Sequence, residues 1–438
     1  MIRQGLRSYV LAVALAAAWP ALGADVTEQA AALIKEGKAA AAFALLDKQE
    51  VDRAGDPEFD VLLGIAAVEI GQHTRGVFAL ERVLALQPGN ARARAELARA
   101  YLALGETSAA RQEFEAVQKQ GVPPEVETTI DRFLDAVDRV ESVTRTTLRG
   151  YLEGSAGFDS NVNVAPGRST VAIPGFGGLP FRLADNSRAT DAWFGSLGGG
   201  ANLRVPVTRD FAVVAGASGA LRNNAQAQQF DSLTLDAYAG FVLNRDRHVF
   251  SANLQFNQYD AASDRYRLAS GFSGQWQYNP NSRQQVSAFV QFSGLEYHGQ
   301  TVRNADRWVF GAAYAQALRE ASVLFASAYG VSERPRDADK MWLGFDGFGL
   351  RVGGQMNLNA RTELFAAATV ESRRYGADDA AFQTRREDAQ YDLSLGLNYT
   401  PTRLWKVTPR LSWTNNESNI DLYKYHRATL SVVVRRDF

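Results

Sequence analysis

The hydrophobic and polar positions of this chain follow two different periods, and the change falls near residue 147. Before that point, apolar residues recur at the spacing of amphipathic helices. After it, segments of about 10 to 14 residues alternate strictly between apolar and polar positions. One such segment reads, in order, Phe250, Ser251, Ala252, Asn253, Leu254, Gln255, Phe256 and Asn257. The pattern predicts a helical region followed by a region of β-strands.

The helical region carries a repeat of 34 residues, marked by Gly37, Gly71 and Gly105. Small or bulky residues recur at the same offset in three further sets: Ala30, Gly64 and Ala98; Ala42, Gly76 and Ala110; Leu46, Leu80 and Phe114. This period is that of tetratricopeptide (TPR) repeats, in which small residues let two helices pack closely and a left-handed glycine ends the first helix. We therefore predict a TPR-like α-solenoid of about three repeats, closed by a helix over 124–140. A plain helical bundle is the alternative.

The alternating region divides into 14 segments. One face of each is apolar and the other polar, and the even number is typical of bacterial outer-membrane barrels. A soluble β-sandwich seldom needs strands of this length. The sequence therefore predicts a 14-stranded antiparallel transmembrane β-barrel with strands near 148–158, 190–204, 209–221, 231–243, 247–259, 264–278, 284–297, 306–317, 321–332, 346–357, 362–374, 387–399, 407–415 and 424–438.

Connection lengths predict which way the barrel is oriented. Connections after even-numbered strands are short, whereas several after odd-numbered strands are long, notably 159–189, 332–345 and 375–386. Short turns belong to the periplasmic side of outer-membrane barrels and long loops to the outside. We therefore expect an outer-membrane location, with the helical domain, which precedes the first strand, in the periplasm.

The two ends of the chain carry targeting features. Residues 1–24 combine the basic residues Arg3 and Arg7, a short apolar stretch and a run of small residues, which predicts a cleaved signal peptide. The domain assignment is then 1–24 signal peptide, 25–146 periplasmic TPR-like domain and 147–438 barrel. The chain ends in Phe438, on the same strand face as Leu430, and we predict that it is the signal read by the barrel assembly machinery.

Composition narrows the function. The 438 residues include no cysteine, and the four histidines do not stand at metal-ligand spacing, so we expect no disulfide and no metal site. The net charge of −1 offers no electrostatic case for nucleic acid. No Ser/His/Asp set or carboxylate pair is recognisable as a catalytic constellation, and nothing indicates a cofactor. We predict that the protein is not an enzyme.

The most distinctive segment lies at the end of the first strand and reads Gly157, Phe158, Asp159, Ser160, Asn161, Val162 and Asn163. Short polar side chains such as these bond to nearby backbone and tolerate left-handed conformations. A structural role follows, in which they end the strand and fold the first long loop. The second interpretation is that they grip a client protein directly.

This segment, behind TPR repeats and opening a 14-stranded barrel, resembles the surface lipoprotein assembly modulators, the Slam family. The resemblance covers the architecture of the whole mature chain, with a TPR portion as short as in the compact members. It implies an outer-membrane translocator that moves a surface lipoprotein or related secreted protein to the cell surface. The partners implied or expected are that client, the barrel assembly machinery, outer-membrane lipids and periplasmic chaperones.

Three other functions stay open from the residues alone. A diffusion porin with the helices as an accessory is one, and a TPR-linked polysaccharide export pore is another. A barrel enzyme is the third, because the relative positions of polar lumen residues cannot be known without the strand register.

Overall fold

The computed structural model describes residues 25–319 and 322–438, which form two compact units, one ending at Thr144 and the other spanning Arg145–Phe438. The predicted signal peptide, residues 1–24, lies outside the described residues. Throughout the described ranges, no helix combines the length and the apolarity needed to cross a membrane. The predicted order of a helical region followed by a β-barrel is confirmed.

The first unit is helical. Its α-helices within residues 25–144 are α1 Val26–Lys35, α2 Ala39–Asp47, α3 Glu50–Arg53, α4 Pro57–Glu69, α5 His73–Leu86, α6 Ala91–Leu104, α7 Thr107–Gln118 and α8 Pro124–Thr144. The predicted closing helix is α8, which continues four residues past the expected end at residue 140. Asp56 and Asn90 accept hydrogen bonds from backbone N–H groups of the first turns of α4 and α6, as N-cap residues do.

The repeat positions do what their spacing predicts. Gly37, Gly71 and Gly105 all have left-handed backbone angles, with φ of 74°, 85° and 84°. A Cβ added to Gly64 would lie 2.5 Å from the Leu80 side chain, so glycine permits the close contact of α4 with α5. The bulky partner Leu80 is itself completely buried. The TPR-like packing expected from the 34-residue period is confirmed.

Charged contacts join neighbouring helices of this unit. Asp60 of α4 is completely buried, and Arg82 of α5 donates to both of its carboxylate oxygens at 3.0 and 2.6 Å. On α6, Arg99 donates to Glu96 at 2.6 Å and its guanidinium lies 5.9 Å from the Phe133 ring of α8. Arg99 therefore links α6 to α8 on the layer formed by α4, α6 and the closing helix α8.

The second unit is a closed antiparallel barrel whose strands, within the described residues, number 14. Its strands are β1 Thr147–Asp159, β4 Ala192–Pro206, β5 Phe211–Asn224, β6 Ser232–Arg245, β7 His248–Ala261, β8 Asp264–Asn281, β9 Gln284–Tyr297, β10 Ala305–Arg319, β11 Ser322–Pro335, β12 Phe345–Asn359, β13 Thr362–Asp379, β14 Thr384–Thr402, β15 Trp405–Ser418 and β16 Tyr425–Asp437. A small hairpin, β2 Thr170–Ile173 with β3 Leu179–Arg182, lies in the first long connection.

The barrel closes between its first and last strands, β1 and β16. Along β1, Leu148 and Leu152 are 71% and 61% exposed on the outer face. The alternating residues Glu153 and Asp159 therefore face the lumen, because successive side chains of a strand point to opposite sides. The paired register carries this division around every strand, so the outer wall is apolar and the lumen wall largely polar, as expected of an outer-membrane β-barrel.

The connections differ between the two ends of the barrel. The short-turn end carries the connections 207–210, 246–247, 282–283, 360–361 and 403–404. The long-loop end carries 160–191, 225–231, 262–263, 298–304, 336–344, 380–383 and 419–424.

The prediction of a long loop over residues 375–386 is wrong. The segment 375–386 consists mainly of the extended ends of β13 and β14, which leave a turn of only 380–383. The two strands pair again beyond an irregularity, with Asp378 opposite Arg385. The backbone N–H and C=O groups of the two strands therefore continue to hydrogen-bond beyond the irregularity. The segment is an extension of the hairpin and not a loop.

Candidate functional site

The segment singled out by its sequence lies where β1 meets β16 at the long-loop end. Gly157, Phe158 and Asp159 are the last residues of β1, and Ser160 begins the first long loop. The β1–β16 pairing runs from Tyr151 opposite Asp437 to Asp159 opposite Thr429. The candidate site is therefore one end of the seam that closes the barrel.

Asp159 is the centre of the site. Its side chain is completely buried, and Arg427 of β16 donates to it from Nε at 2.9 Å, while Arg222 of β5 donates from Nη2 at 2.8 Å. The backbone N–H of Asn161 adds a third donor at 3.1 Å. The Arg222 guanidinium lies 3.9 Å from the Phe194 ring of β4. A buried carboxylate needs such compensation, and here it is supplied by the strands on both sides of β1.

Ser160 extends the seam by one step beyond the strand. Its backbone N–H donates to the Ala428 carbonyl at 2.9 Å, and the Ala428 N–H donates to the Ser160 hydroxyl at 2.8 Å. The hydroxyl takes the place of a backbone acceptor, so the pairing of the first and last strands continues into the loop.

The two asparagines organise the loop itself. Asn161, only 1% exposed, donates from Nδ2 to the carbonyls of Ala165 and His426 at 2.8 and 3.0 Å, and accepts from the Ala165 N–H at 3.0 Å. Asn163 donates to the Arg188 carbonyl at 2.7 Å and accepts from the Thr190 N–H at 3.1 Å. Asn161 thus fastens the loop to β16, and Asn163 joins the start of the loop to its end.

Gly157 and Phe158 serve packing. A Cβ added to Gly157 would lie 2.3 Å from the Leu430 carbonyl oxygen, so the close approach of β1 and β16 excludes a side chain here. Phe158 is on the outer face, where its ring packs edge-on against Trp193 at 5.4 Å. These contacts support the structural interpretation of the motif, while direct contact with a client stays a prediction.

The first long loop also packs against two other loops. Val171 of β2 is buried against Phe382 and Ile420, from the connections after β13 and β15. The Gly175 N–H donates to the Ala381 carbonyl at 2.8 Å. We call Val171, Phe382 and Ile420 the loop cluster. It joins three connections of the long-loop end into one packed unit.

The opposite end of the seam carries Phe438. Its N–H donates to the Gly150 carbonyl at 2.8 Å, and its ring is 58% exposed on the outer face with Leu430, Val432 and Val434. Arg436 lies over the ring, 4.9 Å from its centre. An exposed terminal ring is consistent with reading by another protein, which stays a prediction.

Six charged residues face the lumen by register: Glu153, Asp236, Arg267, Arg351, Glu363 and Asp392. Polar partners contact several of them. Asn257 donates to Asp236 at 2.8 Å and accepts from Arg267 at 3.1 Å. Thr414 donates to Asp392 at 2.6 Å. Mutual pairing of this kind reduces the cost of placing charge on the lumen wall.

The two arginines that bind Asp159 could not be identified from the sequence. Arg427 and Arg222 are 268 and 63 residues away along the chain, and only the closed register brings them together. The sequence does show Arg427 on the lumen-facing side of the last strand, with Ala428 on the outer side. Nothing near Arg427 in the sequence, however, indicates that it pairs with Asp159. Among the described residues, no group of three His, Asp or Glu side chains is placed to hold a metal ion.

Similar proteins fall into two groups that follow the two units. Among solved structures, a Pseudomonas aeruginosa FadL homologue is 11% identical over 67% of this chain and 90% of its own, with a TM-score of 0.34. OmpT, an outer membrane protein of Vibrio cholerae, is 9% identical over 67% and 97%, with a TM-score of 0.39. The first TPR domain of human RPAP3 is 18% identical over 26% and 92%, with a TM-score of 0.24. Similarity at this level does not bear on function. No curated protein matches the chain.

Family comparison is more informative. Residues 67–129 match the tetratricopeptide repeat model, which agrees with the packing of α4 to α8. Residues 149–438 match the model described as surface lipoprotein assembly modifier. This second match starts within β1 and runs through every later strand to the last residue, and it confirms the resemblance inferred from residues 157–163. The protein therefore belongs to the surface lipoprotein assembly modifier family.

Proposed function

We propose that this protein is an outer-membrane translocator that moves a partner lipoprotein, or a related secreted protein, from the periplasm to the cell surface. The observation that carries the proposal is the family match over the whole barrel, residues 149–438. A barrel whose outer wall is apolar and whose lumen is polar suits a route that a polypeptide follows through or beside it.

The orientation belongs to the proposal. We assign residues 1–24 to a cleaved signal peptide, 25–146 to a periplasmic domain and 147–438 to the barrel. The short-turn end, where connections such as 246–247 and 360–361 contain two residues, is placed in the periplasm. The long-loop end, with the loop cluster and the buried Asp159, then faces the cell exterior.

The helical unit is proposed to receive the client. Its TPR match supports a protein-binding role. In the α4, α6 and α8 layer, Arg99 contacts both Glu96 and the Phe133 ring, which places charge next to an aromatic side chain. Binding there would raise the local concentration of client near the barrel. The helical unit would then increase the rate of transfer without itself providing the path.

Further partners are proposed for assembly of the protein itself. The exposed Phe438 ring is the feature that the barrel assembly machinery would read. Outer-membrane lipids would cover the apolar outer wall, and periplasmic chaperones would accompany the unfolded barrel. The polar lumen is equally compatible with a diffusion porin or a polysaccharide export pore, so the test must separate these functions.

The test is co-expression with candidate lipoproteins followed by digestion of intact cells with an added protease. We expect client cleavage to depend on this protein, while a periplasmic marker stays intact. Liposome swelling with small sugars provides the parallel assay for a porin. Rapid swelling together with a client that stays protected would replace the translocator proposal with the porin.

A further inference from the structure

The lumen wall is buried at one end of the barrel and exposed toward the other. Asn202, Gln355 and Arg410 face the lumen toward the short-turn end, and all three are exposed to solvent. At the long-loop end, lumen-facing side chains that are no more than 9% exposed come from strands around most of the circumference: Asp159, Asn224, Leu295, Ala305, Glu333, Phe345, Asp388 and Asn416. Wall side chains alone fill a barrel of about eight strands, and this one has 14, so loops must supply part of the cover.

Two connections of the long-loop end fold inward over this wall. In the connection 419–424, the Tyr423 carbonyl accepts a hydrogen bond from Asn416 Nδ2 at 2.8 Å. The Tyr423 ring lies 3.4 Å from the guanidinium of Arg386, which donates to the lumen-facing Asp388 at 3.0 Å. In the connection 380–383, the buried Phe382 ring lies 6.3 Å from the Tyr423 ring. The two connections therefore form a partly apolar seat on the lumen side of β14 and β15.

The first long loop lies on this seat. Val171 of its hairpin is buried in the loop cluster, and the Gly175 N–H donates to the Ala381 carbonyl at 2.8 Å. Arg168 forms an ion pair with Asp421 at 3.1 Å. The loop leaves the barrel at β1, whereas the Ala381 turn connects β13 to β14, and β14 is the third strand from β1 around the barrel. The hairpin therefore reaches across the ends of β16 and β15 to a seat that faces the lumen.

Asn163 gives this hairpin a closed base. Because Asn163 bonds to the Arg188 carbonyl and the Thr190 N–H, the chain between them leaves and returns at one point. Asn161 fixes that point to the His426 carbonyl of β16 at 3.0 Å. We call residues 164–187 the flap. Its strands β2 and β3 form their own two-stranded sheet, and its seat is a small apolar cluster with an exposed ion pair. Lifting the flap would therefore expose little apolar surface and leave the pairing of the barrel intact.

We propose that the flap is a gate, which closes the lumen at the long-loop end when it is seated and lifts when a client leaves. Closure is argued from the contacts of the flap, whereas the lifting step rests on the proposed function. Loops plug the lumen of many outer-membrane barrels, and lids move as units about a few hinge residues. Here Asn161 and Asn163 hold the hinge. A gate of this kind lets a client enter from the short-turn end while it keeps small solutes from crossing.

Closure is tested without a client, by current measurements on the full-length protein in planar lipid bilayers. In one variant a short glycine-serine linker replaces residues 168–185, which removes the flap but keeps Asn163 and Arg188. Leu179→Ser, at a 64% exposed position of the hairpin, is the matched control. Heat modifiability confirms that each barrel is folded. We expect a steady current from the shortened variant and a several-fold smaller one from the original and the control. Equal currents from the original and shortened proteins would overturn closure by the flap.

Lifting is tested by locking the flap to its seat. Arg168 and Asp421 have side chains 63% and 40% exposed, so a reducible thiol cross-linker added to intact cells should join Arg168→Cys to Asp421→Cys. Client synthesis is induced after cross-linking, and surface client is measured by flow cytometry. We expect several-fold lower display, restored by a reductant, while the single variant Arg168→Cys displays client normally after the same treatment. Unchanged display after complete cross-linking would overturn the gate. Failure of the unaltered protein to display any client would instead overturn the proposed function and leave the current measurements valid.

Discussion

Asp159, at the end of the first strand, accepts hydrogen bonds from Arg427 in the last strand, with Nε 2.9 Å from Oδ1 and 3.1 Å from Oδ2. The carboxylate is completely buried, whereas the arginine is 29% exposed. The pair joins the two strands that close the barrel, and Arg222 extends the connection past β4. The motif found in the sequence thus supplies the carboxylate of an ion pair that holds the seam together at the long-loop end. We call this Asp159–Arg427 pair the latch.

Replacing Asp159 with asparagine should weaken this latch. The change keeps the side-chain size but removes the charge that balances two arginines. Breaking a buried ion pair costs about 3–5 kcal/mol, and partial exposure of Arg427 favours the lower end. We expect the folded barrel to lose heat resistance in detergent gels. The double variant Asp159→Asn/Arg427→Gln should recover part of the loss, and equal heat resistance of Asp159→Asn and the original protein would argue against the latch.

Deleting Phe438 should reduce assembly rather than activity. The ring is exposed on the outer face, so its removal leaves no cavity in the barrel. We expect less heat-modifiable folded barrel in the outer membrane, with normal client display for each folded molecule. As a control, Phe438→Tyr keeps the ring and should assemble normally. Unchanged folded levels after deletion would contradict a targeting role.

The proposed orientation predicts which sites an impermeant thiol reagent reaches. The chain has no cysteine of its own, so a single introduced cysteine gives a clean signal. Ala338→Cys, in the exposed connection after β11, should label on intact cells. Ser108→Cys, on the exposed surface of α7, should label only after the outer membrane is opened. The reverse pattern would show that the barrel is inserted the other way.

The stability of the helical unit should depend on the ionisation of Glu69. Burial raises the pKa of Glu69, Arg99 opposes the shift and Glu96 adds to it. Because the folded state binds this proton more tightly, the stabilising contribution is present below the unfolded pKa and is lost as pH rises through the folded value. Glu69→Gln should therefore melt at a higher temperature than the original protein at pH 7, and at the same temperature below about pH 4.3.

That prediction is checked on the full-length protein in detergent, by following the helical circular dichroism signal during heating. Glu58→Gln, at an exposed position of the same helix, is the control and should show no gain at neutral pH. A gain from Glu69→Gln that persists unchanged in acid would indicate a cause other than ionisation.

Much of the fold could be predicted because its rules are local. The left-handed glycines Gly37, Gly71 and Gly105 and the small residue Gly64 follow directly from a 34-residue period. The strands follow from alternation, since one residue too many would turn every apolar side chain toward the lumen. The error over 375–386 arose where β13 and β14 leave the apolar wall, so that hydrophobic alternation no longer marks the strands.

Only part of the candidate site could be predicted from the sequence, and the reason is different. Residues 157–163 are recognisable as a motif because they are consecutive, but their partners are not. Arg427 reaches Asp159 across 268 positions, and the Val171 contact with Phe382 and Ile420 joins three separate loops. Such contacts depend on barrel closure and on register, and neither is encoded at any one place in the sequence.

Flow cytometry of a lipoprotein client on intact cells, normalised to the amount of folded barrel, measures the proposed transport itself. Three conditions are compared: no protein, the full chain, and a chain that keeps residues 1–24 but lacks residues 25–140. We expect no display without the protein, full display with the complete chain and reduced but measurable display with the truncated one. Client display that is the same with and without the full chain would contradict the central claim that this barrel carries lipoproteins to the surface.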